Sequence, residues 1–298
     1  MPVLDTIRRY TPLGLRFWDA ATETRVRSGL RVRVWPEAMP DRVTHGHRTV
    51  GGDMAVHNIT GLEVVERTGD VGAAPVAPYV AAVEDPLGRF VPTAFTVDLP
   101  RAERGFYTLA HPESPPGPTP PGIYLFSAPT RPVRATLAVV RAFLRDVTTD
   151  QPASFAAMYV EYVDGEDDGV PDDRVWVGMA GADGVVQVLF PYPRLPLMPR
   201  ASPPGEGRPL ARQQWPLRIR IRYAPTAQDV RPGAPVPTVG SVFRQSPATL
   251  LVDASNGTTE AAAMEVSLRH RVPTVVRTAG LPPDEQGVLL VRPATSPP

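Results

Sequence analysis

Cysteine is absent from the 298 residues, and so is lysine: all 31 basic residues are arginine. The first absence excludes disulfides and thiolate metal sites. The second leaves no lysine for a phosphate-cradling loop, and no Gly-rich loop of that type occurs. An arginine-only basic set is what a GC-rich coding sequence yields. It also suits interfaces built from planar guanidinium pairs. Net charge is absent too, with 31 acidic residues against 31 basic, so nothing electrostatic favours nucleic acid or an anionic membrane surface. Aromatics are modest at 7%. No apolar run is long enough to cross a bilayer, which argues against membrane insertion. The opening Met1 to Tyr10 has no long apolar core and no small-residue cleavage site. A cytoplasmic location is therefore expected.

Proline is what the chain has in excess. Its 38 prolines and 24 glycines make up roughly a fifth of the residues, below the level of disordered low-complexity chains. The prolines fall between short alternating apolar runs. Proline removes a ladder donor and is confined to strand ends, edges and loops, so the pattern predicts many short strands and an all-β fold. Leu30 to Trp35 alternates, with Leu30, Val32 and Val34 on one face and Arg31 and Arg33 on the other; Leu217 to Tyr223 does the same. Leu62 to Glu66 and Thr238 to Phe243 read as further strand segments, as do Ala248 to Val252, Met264 to Val272 and Gly287 to Val291. Asp183-Gly184 and Asn256-Gly257 are turn signals.

Two halves run in parallel. Phe17-Trp18-Asp19-Ala-Ala-Thr22 matches Phe143-Leu-Arg-Asp146-Val-Thr-Thr149. Leu30 to Trp35 matches Met158 to Tyr162, Thr49 to Val56 matches Ala180 to Gln187, and Tyr79 to Asp85 matches Leu217 to Tyr223. The inferred duplication has a period of about 130 residues, too long for a solenoid repeat. The chain divides into an N-terminal arm (1–12), a first β-sandwich (13–110), a linker (111–122), a second β-sandwich (123–235) and a C-terminal β extension (236–298). Six of the linker's twelve residues are proline, which predicts a stiff spacer. A second proline-rich loop spans Arg200 to Pro209.

Candidate chemistry is thin. His45 and His47, two apart on an extended segment, point to one side, and His57 lies on the next strand; a metal site needs all three to converge. Asp164-Gly-Glu-Asp-Asp-Gly169 follows the first half of a calcium loop, but Val175 holds the place of the closing glutamate, so a solvated hairpin tip is expected. No Gly-x-Ser-x-Gly elbow occurs. Trp18, Trp35, Trp176 and Trp215 would make a sugar-stacking platform if exposed; their apolar settings favour core packing. Arg218, Arg220 and Arg222 form a stripe on one strand face, suited to a protein interface or to solvent. No catalytic, cofactor-binding or metal residue is assigned, and no cofactor is expected.

The run Asp-x-x-Thr, a long alternating strand, and a Gly-Asp or Asp-Gly turn into an apolar strand resembles the carboxypeptidase regulatory-like (transthyretin-like) fold. Asp19-Ala-Ala-Thr22 and Asp146-Val-Thr-Thr149 carry it. Such Ig-like sandwiches usually act as stability or docking modules, not enzymes. A longer resemblance rests on Gly14 to Thr22, Val83 to Pro92, Gly122 to Pro132 and Phe190 to Pro193. These stretches resemble a family encoded beside the sheath, tube and baseplate genes of phage-tail-like contractile injection systems. The resemblance implies a non-enzymatic structural or assembly protein, multimeric within a particle, cytoplasmic or released with it. Its partners would be sheath, tube, cap or baseplate subunits. A carbohydrate- or surface-binding β-sandwich is the alternative.

Overall fold

The computed structural model describes residues 9–101, 105–109, 120–163, 174–193, 214–255 and 259–294. The acidic loop 164–173, the loop Arg200 to Pro209, Asn256-Gly257, residues 1–8 of the arm and most of the linker lie outside these residues. The chain is all-β, as the alternation predicts. The first half contains β1 (Leu13–Leu15), β2 (Phe17–Asp19), β3 (Thr24–Arg25), β4 (Arg31–Pro36), β5 (Thr44–Arg48), β6 (Met54–Val56), helix α1 (Glu63–Thr68), β7 (Ala77–Glu84), β8 (Thr93–Leu99), β9 (Phe106–Tyr107) and β10 (Ile123–Leu125). The second half contains β11 (Leu137–Asp146), β12 (Gln151–Pro152), β13 (Ala157–Tyr162), β14 (Val175–Met179), β15 (Val185–Pro191), β16 (Gln214–Arg222), helix α2 (Val239–Phe243), β17 (Thr249–Asp253), β18 (Thr259–Ala261), β19 (Met264–Arg269), β20 (Thr274–Val275) and β21 (Val288–Arg292).

The pairing of the first half recurs in the second. The order β8-β7-β4-β5 becomes β19-β16-β13-β14. β1 pairs antiparallel with β6 and parallel with β9; β11 pairs antiparallel with β15 and parallel with β20. β10 lies parallel to β2 with Leu125 opposite Asp19, and β21 lies parallel to β11 with Val291 opposite Asp146. Single hydrogen bonds repeat as well. Ala20 N donates to Leu125 O at 3.1 Å, and Val147 N to Val291 O at 3.0 Å. Val26 N donates to Phe17 O and Ala153 N to Leu144 O, both at 2.9 Å. The turn after each aspartate ends on a left-handed residue, Glu23 at φ 54° and Asp150 at φ 56°.

The glycine turns fix the true register of the duplication. Thr49 N bonds Asp53 O and Gly52 N bonds Thr49 O; Gly181 N bonds Val185 O and Gly184 N bonds Gly181 O. Gly52 (φ +85°) therefore matches Gly184 (φ +75°), one residue away from the match of Gly52 with Asp183 that the sequences suggest. The positive φ decides it, because glycine alone adopts that region without steric penalty. By the same offset Gly46 matches Gly178. A Cβ on Gly46 would lie 3.1 Å from Val32 Cβ, and one on Gly178 would lie 2.8 Å from Val188 Cγ2. Both mark the corner where the sheet folds over. In the first half β5 bridges the corner by pairing with both β4 and β6. In the second half β14 pairs only with β13 among the described strands, and the sandwich splits into two sheets.

One expectation is made specific and two are corrected. The C-terminal β extension from 236 packs on the second half: β19 pairs with β16 along its whole length, and β20 and β21 pair with β11. What the second half adds is the crossing segment 224–243 and the hairpin β17–β18, both inserted between β16 and β19. The linker does not separate two sandwiches. Leu109 N donates to Gly122 O at 3.1 Å, and Trp18 Nε1 to Pro121 O at 3.1 Å. Its two ends therefore meet within the first half, and β10 belongs to that half. Finally, Leu62 to Glu66 and Thr238 to Phe243 are helical where strands are expected. Leu62 and Val65 are buried three apart, and Gly69 closes α1 in the left-handed region (φ 73°) with its N–H on Val65 O. Val239, Val242 and Phe243 bury in the same helical spacing in α2.

The halves share a core. Val32, Val34, Val83, Phe95 and Phe126 of the first half cluster with Ala157, Tyr159, Val177 and Met179 of the second and with Val239, Val242 and Phe243. The opposite face of the β13/β16 sheet, with Met158, Val160, Trp215, Leu217, Ile219 and Ile221, fills the second core. The alternation of β13 is thus read by two different cores, with Ala157 and Tyr159 in the first and Met158 and Val160 in the second. The segment 224–243 crosses over the first half as a strap. Trp35 Nε1 donates to Pro232 O at 2.9 Å, Arg231 meets Glu37 at 2.6 Å, Thr238 bridges to Ala94 on β8, and Phe243 packs edge-on against Phe126 at 5.0 Å.

Candidate functional site

Three of the stretches that carry the longer resemblance lie far apart in sequence and converge in the fold. Gly14 to Thr22 supplies the end of β2 and its turn, Val83 to Pro92 the β7 exit, and Gly122 to Pro132 β10 and the loop beyond it. Asp19 is 6% exposed. Its carboxylate accepts from the Arg131 fork at 2.8 and 2.6 Å, from Thr22 Oγ1 at 2.8 Å and from Ala21 N at 2.9 Å. Asp85, whose side chain is fully buried, accepts from Arg89 N and Nε at 2.8 and 2.9 Å and from Leu87 N at 3.2 Å. The loops are laced together by Ala128 N on Arg89 O, Val91 N on Phe126 O, and Thr130 Oγ1 on Gly88 O. The Phe90 ring lies 5.3 Å from the Arg89 guanidinium and 5.1 Å from that of Arg131, within cation–π range.

Electrostatics follow from this geometry. Burial alone would push the Asp19 carboxyl up, but the Arg131 fork, with help from Thr22 and Ala21, outweighs it and holds the group below its ordinary value. Asp85 behaves alike: burial raises it, and Arg89 together with backbone amides brings it below the usual range. Asp53 follows the same balance, with burial opposed by Arg16 at 3.0 Å and Arg25 at 2.5 Å. A general acid working near neutral pH needs its carboxyl shifted upward. These three are shifted the other way, with their acceptor sites filled from their own chain.

The knot also faces the second half. Ala21, in the Asp19 turn, packs with Leu137, Val139 and Leu189. Gln187 on β15 is fully buried; its Nε2 donates to Ala128 O at 3.2 Å, and its Oε1 accepts from Arg141 Nε at 2.6 Å. At the position matching Asp19, Asp146 accepts from Thr148 N and Oγ1 at 2.8 and 2.6 Å, and Tyr223 takes the place of the arginine. Burial and the Asp146 charge push the Tyr223 hydroxyl up to about 12.

The residues singled out by sequence fall as follows. His45 and His47 are exposed on β5, while His57 Nδ1 meets Glu66 Oε1 at 2.9 Å. Among the described residues no three His, Asp or Glu side chains gather as metal ligands. Trp35, Trp176 and Trp215 are buried, and Trp18 is half-buried with its N–H held by Pro121; the four form no open platform. The arginine stripe turns inward at one end. Arg222 donates to Phe243 O at 3.1 Å, Arg220 pairs with Glu161, and both lie over Tyr159; Arg218 stays exposed, 3.6 Å from Glu265. The acidic loop and the second proline loop lie outside the described residues. Asp-x-x-Thr pointed to Asp19 and Asp146, whereas Arg131, Arg89 and Gln187 were missed. The Asp85-Pro-Leu-Gly-Arg89 turn was the available signal for one of them; Arg131, 112 residues from its partner, had none.

No protein-family model and no curated protein matches the chain. Among solved structures it is similar to the Bacillus anthracis TIE protein (11% identity, TM-score 0.23, 86% of this chain and 43% of that one). It is also similar to GBS52, the minor pilin of Streptococcus agalactiae (8% identity, TM-score 0.21, 96% and 98%). The chain thus spans less than half the length of the first. Neither likeness is close enough to carry an argument about what the chain does.

Proposed function

We propose that this chain is a non-enzymatic assembly component of a contractile, phage-tail-like particle, held there by protein–protein contacts. The observation that carries the reading is the knot of Asp19, Arg131, Asp85 and Arg89. Three of the four segments that resemble the particle-associated family fold together there, and their charged groups bond one another and nearby backbone. A rigid, doubled sandwich with fixed halves suits a part that transmits load between neighbours. The partners are sheath, tube, cap or baseplate subunits, and the setting is the cytoplasm or the released particle. No helix among the described residues is long and apolar enough to cross a membrane. The test is to purify intact particles from a producing strain and identify their proteins by mass spectrometry, with an Arg131→Ala strain alongside. The chain should sediment with the particle, and less of it should do so in the variant. Its complete absence from sheath-containing fractions would refute the reading.

A further inference from the structure

The duplication exposes a difference between two matched strand edges. β8 is the outer strand of its sheet in the first half, and its free side is sealed where Thr238 bridges to Ala94 and α2 packs alongside. β19 occupies the same place in the second half. Among the described residues it pairs with β16 and with no other strand, apart from the Arg269–Val272 bridge that closes its far end. An open edge presents unpaired backbone groups to a partner strand. Glu265, Ser267 and Arg269 are exposed along it, and Val272 (50%) and Val275 (54%) are exposed beside its end.

The order of charges selects the occupant. In an antiparallel pairing of two β19 strands centred on Ser267, Glu265 falls opposite the partner copy's residue 269, an arginine, and Arg269 falls opposite its residue 265, a glutamate. Val266 falls opposite a leucine on the inward side. Opposite charges facing across strands stabilise a pair and like charges destabilise it. The arrangement is self-complementary, as a two-fold interface requires. Zero net charge sets no long-range repulsion against it.

We propose that the partner of β19 is β19 of a second copy, so that two chains join edge to edge through one continuous sheet. The inference rests on the assembly reading and names one contact within it. The test is sedimentation of the purified full chain over a concentration series, with Glu265→Arg and Arg269→Glu as single variants. The wild type should dimerise. Each variant should weaken dimerisation by at least about tenfold, because like charges then face each other twice. An equal mixture of the two variants should recover a heterodimer, since each supplies the sign the other lacks. A wild type that stays monomeric, or variants that dimerise as well as the wild type, would overturn the proposal. A chain that is monomeric alone yet present in purified particles would sink this contact and leave the assembly reading standing.

Discussion

Replacing Arg131 by alanine tests whether the buried knot holds the fold. The side chains of Arg131 and Asp19 are 12% and 8% exposed. Truncation leaves the Asp19 carboxylate with Thr22 Oγ1 and Ala21 N as its remaining donors. Removing one partner of a buried pair costs about 3–5 kcal/mol, because the other charge stays buried without compensation. The lower end, about 3 kcal/mol, applies here because two hydrogen bonds survive. Urea denaturation at pH 7 measures it. The pH dependence gives a second readout. Asp19 is held below its ordinary value in the folded chain. Its contribution is therefore complete above about pH 4, where an unfolded aspartate titrates, and is lost as pH falls through the lower folded value. The gap between wild type and variant should narrow below pH 4. Faster hydrogen exchange at the Ala20 and Ala21 amides should localise the loss to the turn. A variant within about 0.5 kcal/mol of wild type, the range of ordinary surface changes, would refute the argument.

Three further outcomes follow from the same geometry. Gly184→Ala places a Cβ 2.5 Å from Leu144 O at φ +75° and should destabilise by roughly 1–3 kcal/mol, read by thermal unfolding; an unchanged midpoint would break the register match with Gly52. Phe243→Ala removes the ring packed on Phe126; it should cost about 3–5 kcal/mol and open the strap to limited proteolysis between 224 and 238, whereas an uncut strap would mean the halves are held elsewhere. Tyr223 has a folded value raised to about 12, so its contribution is present below about pH 10, where free tyrosine titrates, and is lost as pH rises toward 12. Tyr223→Phe should flatten that alkaline loss; equal slopes in the two proteins would argue against the Asp146 contact.

The strands were legible because their signal is local. Val32 and Val34 alternate with Arg31 and Arg33, and the burial of β4 follows them. Proline placement announced an all-β chain, and Asp-x-x-Thr announced two equivalent turns. What failed to show needed information from far along the chain. Val64 and Val65 favour strands by residue type, yet the left-handed stop at Gly69 and the buried spacing of Leu62 and Val65 make a helix. The linker reads as a spacer by composition, but closure between Leu109 and Gly122 is a pairing that no local pattern encodes. The acid–arginine knot is hidden for the same reason. Apolar periodicity reports which face is buried, while a guanidinium can reach its carboxylate from any distance in sequence.

The inserted segment explains why two copies of one module behave as a single body. Between β7 and β8 the first half needs only the connection from Asp85 to Pro92, whereas between β16 and β19 the second half runs from Tyr223 to Ala263. That length lets the strap leave its own sandwich, cover Trp35 and the β8 edge, and return through Arg222 and Gln245. Gln245 Nε2 donates to Phe155 O at 2.9 Å, and its Oε1 accepts from Ala224 N at 2.9 Å; this clamps both feet of the crossing to the second half. Side chains on both faces of β13 are then buried, so rotation between the halves would expose Tyr159, Met179 and Phe243 together. The cost of parting scales with that apolar area. The asymmetry has a direct consequence. The insertion seals one edge of the duplicated module and leaves its twin, β19, with no second partner strand among the described residues.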